Sequence, residues 1–234
     1  MYKDYSYHIL SAKDAFHSEE LSLRNSIYSS WHKLWTDVYS QSDAGYHLSS
    51  DEFIRQDLVT AILHKEKVAA IHLYSFFHLD ASADLSTKYF HFFSEKYLQE
   101  LRQKKVKTVM SMEFLTVLPE FRKSNIGFSI GSTIIQLGTQ VFGQVNADAI
   151  VAPARNDVGV NKMAYDLGFS CIEKETEQRG FTCDLIACFQ GHQRRSENLA
   201  IRSCADHLWN TKMVYPSVER FITPVHPRSM DQAA

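Results

Sequence analysis

The sequence predicts a mixed α+β fold in which a central, mostly antiparallel, twisted sheet is flanked by helices. Three observations predict it. Two apolar, β-branched runs, residues 58–63 and 68–76, flank the polar segment 64–67 and read as an antiparallel hairpin. A strand over 108–117 stops at Pro119 and leads into a segment of helical periodicity, 126–142. A second hairpin, 169–173 with 182–189, follows a further strand and helix near the end of the chain.

Residues 5–10 read as a first short strand. Residues 18–39 carry Leu21, Ile27, Trp31, Leu34 and Val38 at helical spacing and form one or two amphipathic helices. After the first hairpin the character changes at 78–107, where a Ser/Asp/Ala stretch precedes Tyr89, Phe90, His91, Phe92 and Phe93 and then a helix over 95–105. This segment reads as a helical insertion between the third and fourth strands. Gly143, Asn146 and Asp148 end the 126–142 helix, 149–153 is a strand, and 157–167 is a helix for which Gly168 supplies a left-handed C-terminal cap. The charged, glycine-containing stretch 174–180 links the last two strands, 197–211 is a helix, and a proline-containing tail starts at Pro216. The expected organisation is a main domain over 1–190 and a C-terminal helical extension with tail over 191–234.

The chain has 234 residues, 44% of them hydrophobic, enough for one sizeable core. Its 25 basic and 27 acidic residues form no long run of one sign, so charge gives no sign of a nucleic-acid partner. No apolar stretch approaches the ~18 residues of a membrane span, and residues 1–6 lack the pattern of a leader. Cys171, Cys183, Cys188 and Cys204 have no C-x-x-C spacing and read as buried small hydrophobes in a reducing compartment, which places the protein in the cytoplasm. The 11 histidines, among them His72, His78 and His91, lack metal-ligand spacing, so no metal is expected, while a histidine base stays open.

The segment from Glu113 to Gly127 is a strand that turns tightly into a helix. Amides at such a junction, with Arg122 and Lys123 beside them, suit phosphate oxygens. The string Val117-Leu118-Pro119-Glu120-Phe121-Arg122, followed by Lys123-Ser124-Asn125-Ile126-Gly127, resembles the acyl-coenzyme A loop of the GNAT (GCN5-related N-acetyltransferase) superfamily. Asn125 stands where that superfamily has its first glycine, and asparagine is the best-tolerated replacement where a left-handed conformation is needed. Asn156, and the later run Ala164-Tyr165-Asp166-Leu167-Gly168-Phe169, resemble a second segment of the same superfamily.

The resemblance implies a GNAT fold and an N-acyltransferase using acetyl-CoA or another acyl-CoA as donor. Leu115 and Val117 would offer backbone contacts to the pantetheine arm. Arg122, Lys123, Ser124, Asn125, Ile126 and Gly127 would hold the pyrophosphate, and Asn156 would meet the arm from the other side. Glu113 would deprotonate the acceptor amine, directly or through water, the alternative being a strand carboxylate paired with a neighbouring base. Tyr165 is the candidate acid for the thiolate, although it lies one residue late for that role and packing is its alternative. The aromatic residues Tyr89, Phe90, Phe92, Phe93 and Tyr97 line either a substrate pocket or core.

The insertion and the string Met112 to Val117 also resemble, more loosely, the N-acyl amino acid and acyl-homoserine lactone synthases. An acyl carrier protein would then be the donor, drawn to a basic rim of Arg102, Lys104, Lys105 and Lys107. A third reading is a non-catalytic coenzyme A sensor. The expected acceptor is a small-molecule amine, and the C-terminal extension is a candidate homodimer surface.

Overall fold

The computed structural model describes residues 2–42, 45–219 and 221–222. In chain order the elements are β1 (Tyr5–Leu10), α1 (Ser18–Ser40), α2 (Asp51–Ile54), β2 (Leu58–His64), β3 (Lys67–Tyr74), β4 (Phe76–His78), α3 (Ser82–Leu85), α4 (Glu95–Gln103), β5 (Thr108–Ser111) and β6 (Glu113–Val117). They continue as α5 (Lys123–Ile126), α6 (Ile130–Phe142), β7 (Ala149–Arg155), α7 (Val160–Asp166), β8 (Ser170–Gln178), β9 (Phe181–Phe189), α8 (Leu199–Asn210) and β10 (Met213–Val214).

The strands form two five-stranded sheets, ordered β10-β1-β2-β3-β6 and β4-β5-β7-β9-β8. Among the described residues only the β1–β10 and β5–β7 pairs are parallel, so the sheets are mostly antiparallel as the sequence predicts. The strand read over 108–117 is broken at Met112: β5 belongs to one sheet and β6 to the other. That break opens the cleft between β6 and β7.

Helix α1 is a single helix that buries Ile27, Trp31, Trp35 and Tyr39 against Val59, Ala61, Ile71 and Leu73 of the first sheet. Each large apolar side chain so buried contributes about 1.5–3 kcal/mol. The insertion covers the second sheet: Tyr89, Phe90, Phe93 and Tyr97 pack with Leu98 and Leu101 on Val109, Val151 and Leu185. On the opposite face α6 and α8 lie over both sheets, with Ile134, Leu137, Phe142, Cys204 and Leu208 meeting Tyr7, Ile62, Ile150 and Ile186. The extension is thus packed onto this face, and β10 adds a parallel strand beside β1.

Three local expectations change. The helix read from 126 starts at Ile130, because Gly127 takes φ +79° to end the single turn α5 and the Ser129 hydroxyl then caps α6 by accepting from the Ser132 amide. The stretch 174–180 is mostly strand: Arg179 and Gly180 both have positive φ, +52° and +82°, which makes a two-residue primed turn and lets β8 and β9 run right up to it. Asn125 is not left-handed; it lies in α5, and its side-chain amide donates to the Pro119 carbonyl at 2.8 Å, closing the loop from within. Gly168 does adopt the left-handed cap, at φ +98°, where a Cβ would fall 2.1 Å from the His192 carbonyl oxygen.

Candidate active site

The break at Met112 leaves two strand segments open toward each other. Strand β6 pairs with β3 on one side and is the edge of its sheet. Strand β7 pairs with β5 only over Ala149–Val151, so from Ala152 to Arg155 its partner is β9 alone. Two rows of backbone N–H and C=O groups therefore face a cleft, and such groups require partners. An extended segment bearing amide groups would supply them, as an added strand would.

Within β6 the pairing slips. Ile71 lies opposite Thr116 and Leu73 opposite Glu113, so the two residues Phe114 and Leu115 face His72 alone. Phe114 sits at φ +54°, a left-handed conformation that costs a side-chain-bearing residue of order 1 kcal/mol or more and is held in place by its surroundings. Its ring is clamped edge-on by Trp31 and Trp35, with centroids 5.4 and 5.2 Å away. The Trp35 indole donates to Thr116 Oγ1 at 2.9 Å, so α1 fixes the bulge from both sides.

The cleft opens into a cavity of about 580 Å³. At its mouth are Arg122, Lys123, Ser129 and Gly131; neither Arg122 nor Lys123 forms an ion pair with a described residue. Leu115, Val117, Pro153 and Arg155 form its sides, and it continues behind the bulge to Met112, Ile135, Phe169, Ile186 and His72. This depth is nearly all apolar. The side chain of Ser124 lies outside the described residues; Ile126 is part of α5 and Gly127 is its cap.

A second, smaller pocket of about 80 Å³ adjoins the first and shares Trp35, Met112, Phe114, Pro153 and Arg155 with it. Its other walls include Tyr39, Tyr89, Phe92, Glu113, Arg179 and Phe181. Of the insertion aromatics, then, Tyr89 and Phe92 reach a pocket, while Phe90, Phe93 and Tyr97 are core. A network of buried charges supports this wall. Glu113 is buried; its Oε1 accepts from Arg55 at 3.1 Å and from the Ser111 hydroxyl at 2.8 Å, and its Oε2 accepts from the same guanidinium. Glu52 accepts from Tyr46 at 2.6 Å and from Arg55 and Arg179 at 3.1 Å each. The Arg179 guanidinium also lies over the rings of Tyr46 and Phe92.

Glu113 is thus paired, with three of its roughly four acceptor positions engaged and one left for a water. Tyr165 is displaced from the expected acid role. Its hydroxyl donates to Asp184, outside the cavity, because the one-residue offset turns Ala164 toward the cavity instead. Asn156 is likewise occupied: its amide donates to Asp184 at 3.0 Å and its oxygen accepts from the Asp184 amide at 3.1 Å. These residues pin α7 to β9 behind the site. Burial of Asp184 opposes its ionisation, but bonds from Asn161, Tyr165, Asn156 and the Glu175 amide prevail and hold the carboxyl at about 2.

A folded-state value below the ordinary 3.8 means that the stabilisation is complete above that pH and is lost as pH falls through about 2. The melting temperature of Asp184→Asn should fall less steeply between pH 4 and pH 2 than that of the unmodified protein, from a lower neutral value, in scans at a series of pH values. Equal slopes would show that the cluster is not what acid dissolves.

Sequence reasoning missed Glu52, Arg55, Arg155 and Arg179. No motif marks them, since their partners are distant in the chain; the only available signal was Arg179-Gly180 as a hairpin turn. Among the described residues no group of three or more His, Cys, Asp or Glu side chains is placed to hold a metal ion, and no helix is long and apolar enough to cross a membrane.

No family model and no curated protein matches the chain. Solved structures do. A mosquito arylalkylamine N-acetyltransferase like 5b superposes with TM-score 0.53 at 15% identity, covering 79% of this chain and 100% of its own. The Drosophila melanogaster polyamine N-acetyltransferase gives 0.52 at 10%, covering 79% and 98%. The coenzyme A-dependent acyl-homoserine lactone synthase BjaI, solved with SAM and isopentyl-CoA, gives 0.54 at 10%, covering 90% and 92%. The chain has the GNAT fold.

Proposed function

We propose that the chain is an acyl-CoA-dependent N-acyltransferase whose donor acyl group is longer than acetyl. The observation that carries this reading is the cleft between β6 and β7, which runs from Arg122 and Lys123 past the bulge at Phe114 into an apolar chamber. The two amides of a pantetheine arm match the facing strand edges. The pyrophosphate lies at Arg122, Lys123 and the amides leading into α6, and the acyl tail occupies the chamber behind the bulge.

The thioester carbonyl then sits at the bulge, where the backbone amides of 114–115 stabilise the oxyanion. The acceptor amine enters through the smaller aromatic pocket and attacks the carbonyl carbon. The C–N bond forms, the C–S bond breaks, and coenzyme A leaves as a thiolate that takes its proton from solvent. A thiol with an ordinary value near 8.5 needs no dedicated acid, which agrees with the displacement of Tyr165. The amine proton passes through water to Glu113, the one carboxylate on the wall of the smaller pocket among its described lining residues.

The depth of the chamber favours the fatty-acyl branch of the sequence reading over an acetyl-specific enzyme. Carrier-protein docking at the proposed rim is less favoured, because Arg102 and Lys104 are already paired with Glu95 and Glu100. The test is thiol release from acetyl-CoA and octanoyl-CoA with a panel of small amines. Amine-dependent release that is faster with octanoyl-CoA is expected. Donor binding without amine-dependent release would replace the enzyme with the sensor.

A further inference from the structure

Thr116 is completely buried in β6, and both bonding roles of its hydroxyl are in use. Its Oγ1 accepts from the Trp35 indole at 2.9 Å and donates to the carbonyl oxygen of Phe114 at 2.8 Å. The direction of this relay is fixed, because an indole N–H can only donate and a hydroxyl has a single proton to give. Valine suits a buried strand position at least as well, so packing alone does not account for a threonine here.

What the relay holds is the peptide group between Phe114 and Leu115. Phe114 is the left-handed residue of the bulge, at φ +54°, and with Leu115 it faces His72 alone, in the stretch where the ladder constrains the strand least. A trans peptide is planar, and its C=O and N–H point in opposite directions. Turning the Phe114 carbonyl to the Thr116 hydroxyl therefore turns the Leu115 N–H away from it. Leu115 is part of the wall of the cleft, whereas Thr116 is not.

We propose that Thr116, itself held by Trp35, is a positioning residue that locks the 114–115 peptide so that the Leu115 amide is aimed at the thioester carbonyl. This rests on the oxyanion role given above to the amides of the bulge. An oxyanion donor is effective because it needs no reorganisation at the moment of reaction. At a bulge the ladder does not guarantee that rigidity, and the relay from α1 supplies it.

The experiment compares the full-length unmodified protein with Thr116→Val and Thr116→Ser. Each is titrated by calorimetry with octanoyl-CoA isotopically labelled at the thioester carbonyl carbon, and the stretching frequency of the bound carbonyl is read by difference infrared spectroscopy. Amine-dependent thiol release gives kcat. In the unmodified protein the bound carbonyl should absorb at a lower frequency than the free thioester, since a hydrogen bond to its oxygen weakens the C=O bond. Thr116→Val should lose most of that shift and about tenfold or more in kcat, with the donor dissociation constant changed no more than about threefold. Thr116→Ser, which keeps the hydroxyl, should keep both. Thr116→Cys, whose thiol is a weak donor, makes the same comparison if a melting curve shows that Thr116→Val does not fold. A carbonyl shift that survives unchanged in Thr116→Val overturns the inference and leaves the donor site standing, even if turnover falls. Octanoyl-CoA that fails to bind the unmodified protein, or binds without a carbonyl shift, overturns the oxyanion role of the bulge and this inference together.

Discussion

Gly131→Phe should abolish donor binding while leaving the fold in place, with the dissociation constant for coenzyme A thioesters rising about 100-fold or more, ~2.7 kcal/mol. Gly131 stands in the first turn of α6, on the wall of the cleft. A Cβ built on it would meet Met163 Sδ at 3.4 Å and Val117 Cγ2 at 3.6 Å, so a methyl group just fits. A phenyl ring does not, and the space open to it is the gap between β6 and β7 that the pantetheine arm is proposed to fill. Gly131→Ala is the matched control and should bind within a few-fold of the unmodified protein. Calorimetric titration gives the affinities, and a melting curve shows that both variants fold. Unimpaired binding by Gly131→Phe would place the donor elsewhere.

Glu52→Ala carries the largest expected loss of stability. Its carboxylate joins three donors, Tyr46, Arg55 and Arg179, and its side chain is 7% exposed. Removing one member of a buried ion pair typically costs about 3–5 kcal/mol, because the partner charge stays behind without compensation. Here Arg179 is 13% exposed and loses its ion pair, whereas Arg55 keeps Glu113 and is 28% exposed, so the lower end of that range applies. For a chain of this length that corresponds to a fall in melting temperature on the order of 10 °C. The smaller pocket should be lost with it, since Arg179 is part of its wall. Glu52→Gln, which keeps acceptor and shape, should recover part of the loss. A melting temperature unchanged by Glu52→Ala would mean that the network is solvated and only decorates the surface.

The sequence was most legible where local chemistry decides structure. Apolar, β-branched runs located β2 and β3, 3.6-residue spacing located α1, a helix was read at α8, and the Gly168 cap followed from its place after a helical segment. It was misleading where a turn absorbs charge: Lys174, Glu175 and Glu177 suggested a loop, yet they lie on an edge strand whose outer side tolerates them, and the primed turn at Arg179-Gly180 needs only two residues. The break at Met112 left no mark either, since an unbroken apolar strand pattern serves two sheets as well as one. The loop from Arg122 to Gly127 was visible as a strand-to-helix junction, whereas its internal geometry, with Asn125 bonded to the Pro119 carbonyl, was not.

The proposed site was legible on its donor side and dark on its acceptor side for a physical reason. One wall of the proposed donor cleft comes from a continuous stretch, Phe114 to Lys123, whose residues are adjacent in sequence. The smaller pocket draws Trp35, Tyr89, Glu113, Arg155 and Arg179 from five separate elements or loops, and only folding brings them together. Tyr165 and Asn156 show the converse: their spacing suggested chemistry, and their side chains are spent on Asp184.

The claim that the cleft takes a long acyl chain into the chamber behind the bulge is tested most directly by the heat-capacity change of donor binding. Burial of apolar surface makes that change negative. Titration of the unmodified protein with acetyl-CoA and octanoyl-CoA at several temperatures should give a distinctly more negative value for octanoyl-CoA, the difference being the extra methylenes removed from water. Equal values for the two donors would mean that the chain stays in solvent and the chamber is not its site.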